Sequence, residues 1–213
     1  ADEGANGPIS ASSTTIKETG QGTITISGGA VDHTFNGYKL GYLTSISYGD
    51  IDTDSVSNAS MTGYTLATNQ MYRDAIETAL DGIKDTKVDA TKTLKDRYLA
   101  DKNYCGSECT GGSAAAGEGD SNAPNPLGWF FDNYGGSYED THNWGGDAKD
   151  GTNASVLRRF ATKVSAELGK TDAPAPTYSG DSALKSGDNV NVTQGYYLLR
   201  DTTDLKETVT PSD

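Results

Sequence analysis

Residues 193–202 read TQGYYLLRDT. In an otherwise polar chain, Tyr196, Tyr197, Leu198 and Leu199 stand without interruption between Gly195 and the charged pair Arg200-Asp201. A short apolar run bounded in this way is the pattern of a strand buried in part on both faces. Strand alternation turns Tyr196 and Leu198 to one side and Tyr197 and Leu199 to the other. The stretch predicts a core strand, and the rest of the chain must cover both of its faces.

Strand patterns cluster at the two ends of the sequence. Thr23-Ile24-Thr25-Ile26 alternates polar and apolar residues, and Gly28-Gly29 leads to Phe35, Tyr38, Leu40 and Tyr42, which alternate again. The spacing predicts a hairpin of half-buried strands. Asn189-Val190-Asn191-Val192 repeats the period of two and runs into the core strand.

Helical patterns lie between. Asn69 can cap a helix that aligns Tyr72, Ile76, Leu80 and Ile83. Asn153 can cap a second, with Val156, Phe160, Val164 and Leu168 on one stripe and Gly169 at its C′ position. A third is expected from Val88 to Leu99, with Leu94, Tyr98 and Leu99 as its apolar side. Residues 101–152 show no sustained period; they hold both cysteines and both tryptophans among glycines and read as one long irregular insertion.

Composition narrows the function classes. Seventeen Lys and Arg against 30 Asp and Glu give a net charge of −13, so a phosphate backbone is repelled and nucleic acid is not an expected partner. The longest apolar run is too short to span a bilayer, so no membrane partner is expected. The opening ADEGANGPIS lacks a positive and then apolar signal segment, leaving a chain never exported or one that begins where a signal peptide was cut.

Three segments, GTITISGGAVDHTFNGYKLGYL at 22–43, NASVLRRFATKVSAEL at 153–168 and VNVTQGYYLLRDTT at 190–203, resemble the N-terminal domain of sortase-assembled pilins of Gram-positive bacteria. The likeness covers about half the chain, and the 101–152 insertion has no counterpart in it. It implies a mainly β, immunoglobulin-like (CnaB-related) β-sandwich with helical insertions, spanning residues 1–213 as one domain with an extended segment at 1–20. It further implies a secreted, cell wall-anchored structural subunit. Its partners would be neighbouring pilin subunits in a head-to-tail polymer and the sortase that joins them. Neither a YPK pilin motif nor an LPxTG sorting motif occurs, so the chain is expected to be part of a longer subunit.

Several residue groups invite chemistry. Asp50, Asp52 and Asp54 stand at positions one, three and five of a calcium-loop-like run, but Ser55 replaces the glycine at six and Met61 the glutamate at twelve, so a solvated turn is expected. Glu139, Asp140, Asp147 and Asp150 with His142 match no ligand spacing, and no metal or other cofactor is predicted. Neither His33 nor His142 accompanies a nucleophile motif, so no enzyme is expected.

Cys105 and Cys109 are expected to form a local disulfide if the chain is exported. The rings at Trp129, Phe130, Phe131, Tyr134, Tyr138 and Trp144 leave two readings open. They form a satellite core, or Trp129, Tyr134, Tyr138 and Trp144 make an exposed platform for host glycan or matrix protein in an adhesin. Many domains of the resembled family carry a self-made lysine–asparagine amide, for which Lys39 would be the amine. The family's acid often follows the closing strand, where this chain has Arg200. The bond is therefore expected to be absent and Lys39 to extend its amine to solvent.

Overall fold

One long strand organises the computed structural model, which describes residues 12–15, 21–26, 33–49, 60–111, 123–134 and 156–202. This strand, β3 (Thr34–Gly49), is 16 residues long. Four strands pair with it, all antiparallel. β1 (Ser12–Thr15) and β4 (Ser60–Thr68) take its C-terminal half. β5 (Leu184–Lys185) and β7 (Gly195–Asp201) take its N-terminal half. A second antiparallel sheet pairs β2 (Gln21–Thr25) with β6 (Asn189–Thr193).

The expected hairpin between residues 23–26 and 35–42 does not form: β2 lies beside β6, with Gln21 opposite Thr193 and Thr25 opposite Asn189. Alternation reports which residues share a face and is silent about the neighbouring strand. Here the Thr23 and Thr25 hydroxyls donate to the carboxamide oxygens of Asn191 at 3.2 Å and Asn189 at 2.6 Å. Those cross-strand bonds match β2 to β6.

β7 takes its predicted place as a strand covered on both sides. Its register sets Leu198 opposite Tyr38 and Tyr197 opposite Lys39. Tyr196 packs its ring 4.6 Å from Phe131, and Leu198 joins the same helical core. On the other face Tyr197 lies 6.1 Å from the Tyr178 ring. All four large residues are half-buried.

The helices cover the first of these faces. Asn69 accepts from the Met71 amide at 3.2 Å and caps a 3-10 turn, Gln70–Tyr72, that leads into α1 (Arg73–Asp81). Tyr72, Ile76, Leu80 and Ile83 are buried together, as their spacing predicts. α2 (Leu94–Leu99) is shorter than expected. The Asp85 carboxylate collects the amides of Lys87, Val88 and Asp89 at 2.9–3.3 Å, which holds these residues in a turn in place of a helix. A capping box between Thr93 and Asp96 then starts the helix at Leu94.

α3 (Pro126–Tyr134) lies inside the stretch that shows no sustained period. α4 (Val156–Leu168) buries Phe160, Val164 and Leu168 as predicted; its proposed cap, Asn153, lies outside the described residues. Gly169 follows α4 without the positive φ expected of a left-handed cap. A Cβ at Gly169 would stand 2.6 Å from Nη2 of Arg200, so the glycine leaves room for that guanidinium at the helix C-terminus, where a cation is favoured. The described residues thus combine antiparallel sheets with a helical layer, and none of their helices is long and apolar enough to cross a membrane.

Candidate functional site

Lys39 sits where β3, β6 and β7 meet, and it does not extend to solvent. The residue is 5% exposed. Its Nζ donates to the Thr193 hydroxyl at 2.7 Å and stands 4.4 Å from the centre of the Tyr42 ring, a cation–π distance. Lys39 does not meet the expectation of a solvated amine. Its backbone instead faces Tyr197 across the ladder, and its amide donates to Thr177 Oγ1 at 3.0 Å, so both flanks are covered.

Tyr197 completes this seam. Its hydroxyl donates to the Thr193 carbonyl at 2.7 Å and lies 3.1 Å from Thr193 Oγ1. Burial first, then the neighbouring tyrosines, raise its pKa to about 12, so it stays a neutral donor. Gly195 permits the close approach, because a Cβ there would meet the Gly41 carbonyl oxygen at 2.3 Å and Lys39 Cε at 2.7 Å. Beside the seam a cavity of about 190 Å³ opens between the sheets, lined by Ile24, Leu43, Val192, Gln194 and Tyr197 among others. Asn189 and Asn191 on β6 are exposed and bound to the β2 threonines.

Cys105 and Cys109 form the disulfide their proximity predicts, with Cα atoms 4.9 Å apart. The bridge is buried in the helical core, with Cys105 at 0% exposure. Its ring closes on α2 through the Thr110 amide, which donates to the Leu99 carbonyl at 2.8 Å.

Of the four proposed platform residues, Trp129 and Tyr134 are buried at 2% and 4% exposure and present no open ring to a ligand. Trp129 packs on Tyr98 and Tyr134, and Phe130 stacks on Phe160 with centres 4.1 Å apart. Tyr134 also donates to the Asp85 carboxylate at 2.9 Å, while Arg97 lies 3.6 Å away. Burial alone would raise the pKa of Asp85, but its amide and Tyr134 hydrogen bonds prevail and hold it below the ordinary range. Tyr138 and Trp144 lie outside the described residues, as do the acidic runs at 50–54 and 139–150 and His142. His33 pairs with Asp201 through Nδ1 at 2.6 Å and joins the start of β3 to the end of β7.

Asn125 is a positioning residue that the sequence reading passed over. Its Oδ1 accepts from the Gly128 amide and from the Thr68 amide and hydroxyl, and its Nδ2 donates to the Leu66 carbonyl at 2.8 Å. The Asn-Pro pair at 125–126 was the available signal: an N-cap residue followed by proline in the first turn. Comparison with protein-family profiles, with curated proteins and with solved structures finds no match to this chain.

Proposed function

We propose that the chain is a structural domain of a covalently assembled Gram-positive surface pilus, an immunoglobulin-like β-sandwich placed head to tail with its neighbours and supporting adhesion. The segments that resemble pilin N-terminal domains become β2, β3, α4, β6 and β7, so the likeness falls on the strands at the heart of both sheets.

One observation carries the reading. β1 and β7 both run antiparallel to β3, and they occupy its opposite ends: Ser12 lies opposite Tyr48, and Asp201 opposite Phe35. At about 3.3 Å per residue these two positions are about 40 Å apart along β3. A pull applied ahead of Ser12 and beyond Asp201 draws β1 and β7 away from each other along β3. Antiparallel ladder bonds stand perpendicular to the strands, so such a load strains all bonds of each ladder together. A domain wired in this way suits a filament that carries tension.

The test is polymerisation on the source cell. Cell-wall extracts boiled in detergent and probed with antibody against this chain should show a ladder of covalent multimers. A single band at monomer mass, in cells that display the chain on their surface, would refute the proposal.

A further inference from the structure

Glu77 on α1 is 7% exposed, and its Oε1 is buried with no hydrogen-bond partner among the described residues. Glu108, carried by the Cys105–Cys109 ring, stands within hydrogen-bonding reach of the Glu77 carboxyl group. Among the described residues, Arg73 from its own helix and Lys95 and Tyr98 from α2 also stand around Glu77. Tyr98, fully buried, donates to Glu108 Oε2 at 3.2 Å. Arg73 Nε lies 3.1 Å from Glu108 Oε1, although its N–H is not aimed at that oxygen.

Two carboxyl groups in contact cannot both ionise cheaply. Glu108 is the outer of the two, its side chain 25% exposed and beside Arg73. Glu77 is the inner one and the natural bearer of the shared proton.

We propose that Glu77 and Glu108 form a proton-operated latch: a proton on Glu77, donated to Glu108, holds the disulfide ring against α1, and its loss in mildly alkaline solution sets two carboxylates against each other and releases the ring. Burial, then the bond and charge of Glu108, raise the pKa of Glu77 to about 8, against the pull of Arg73 and Lys95. With the ring released and the site wetted, Glu77 returns toward its ordinary 4.5. Between these values the closed form holds one proton more than the open form. The opening constant therefore rises by up to about tenfold per pH unit across that window and levels off above it. The latch is tightest in acid. This inference does not rest on the pilus reading.

Hydrogen exchange at the Glu108 and Thr110 amides tests it, because these donate to the Cys105 and Leu99 carbonyls and report the ring directly. In the full chain, after correction for intrinsic exchange, protection should fall severalfold per unit from pH 5.5 to 8. Glu77→Gln, which cannot ionise, should hold protection constant. Equal pH dependence in both proteins, or none in the parent, would overturn the latch. Should Glu77→Gln fail to fold, the carboxyl carbon of Glu77 can be titrated by NMR in the parent: a midpoint above 6.5 supports the proposal and a lower one refutes it. In Glu108→Gln the same midpoint should drop by at least one unit, and an unchanged midpoint would overturn the shared proton.

Discussion

Gly195→Ala probes the seam on which β6, β7 and Lys39 depend. The added methyl would stand 2.3 Å from the Gly41 carbonyl oxygen and 2.7 Å from Lys39 Cε, each more than half an ångström inside ordinary contact. The Lys39 contact can be relieved by rotation of a flexible stem, although its amine would then leave Thr193. The Gly41 contact is with backbone and can be relieved only by moving the ladder.

Overpacking of this kind costs about 1–3 kcal/mol. Reduced freedom of the unfolded chain returns about 0.4–1 kcal/mol. The net loss of about 0–2.6 kcal/mol corresponds to a fall in melting temperature of up to roughly 10 °C for a chain of this size. Thermal unfolding followed by circular dichroism measures it. Combining the change with Lys39→Ala separates the two contacts: because the Gly41 oxygen remains, Gly195→Ala should retain at least half of its cost in that background. A Gly195→Ala protein that melts above the parent temperature would refute the steric argument. Full rescue by Lys39→Ala would refute the part assigned to Gly41.

Asn125→Ala removes the cap of α3 and strands the Leu66 carbonyl and Thr68 amide, so a loss of about 2–4 kcal/mol is expected in urea unfolding. A loss below about 1 kcal/mol would show that α3 does not depend on this clamp. Unreduced, denatured protein should yield no thiol to an alkylating reagent, whereas two labelled thiols per chain would refute the Cys105–Cys109 bridge. Loop closure values so short a ring at about 2 kcal/mol, so reduction under denaturing conditions followed by refolding should lower the melting temperature by roughly 4–8 °C.

What could be read from the sequence follows from which faces are covered. α1 and α4 each bury one stripe, and a one-sided helix leaves a 3.6-residue period in its sequence; Tyr72, Ile76, Leu80, Phe160 and Val164 all lie where that period puts them. α3 escapes the same test because Leu127, Trp129, Phe130, Phe131 and Tyr134 are buried around its circumference, and Asp132 and Asn133, exposed side by side in its last turn, make no polar stripe to mark a period. Gly128 adds to the disguise. It is present because the Leu66 carbonyl would lie 2.6 Å from a Cβ, a demand of packing that looks like loop composition in the sequence.

Lys39 and Glu77 escape for a different reason. A charged residue reads as solvent-facing by default, and only the arrival of residues distant in sequence, Thr193 at one and Glu108 at the other, makes each a buried group with a partner. Pairing of β2 with β6 is non-local in the same sense, joining residues 164 and 168 positions apart through Thr–Asn bonds. Periodicity records which side of an element is covered. The buried lysine, the carboxyl pair and the strand partners are set by which distant segment does the covering, and one chain's local pattern holds no record of that.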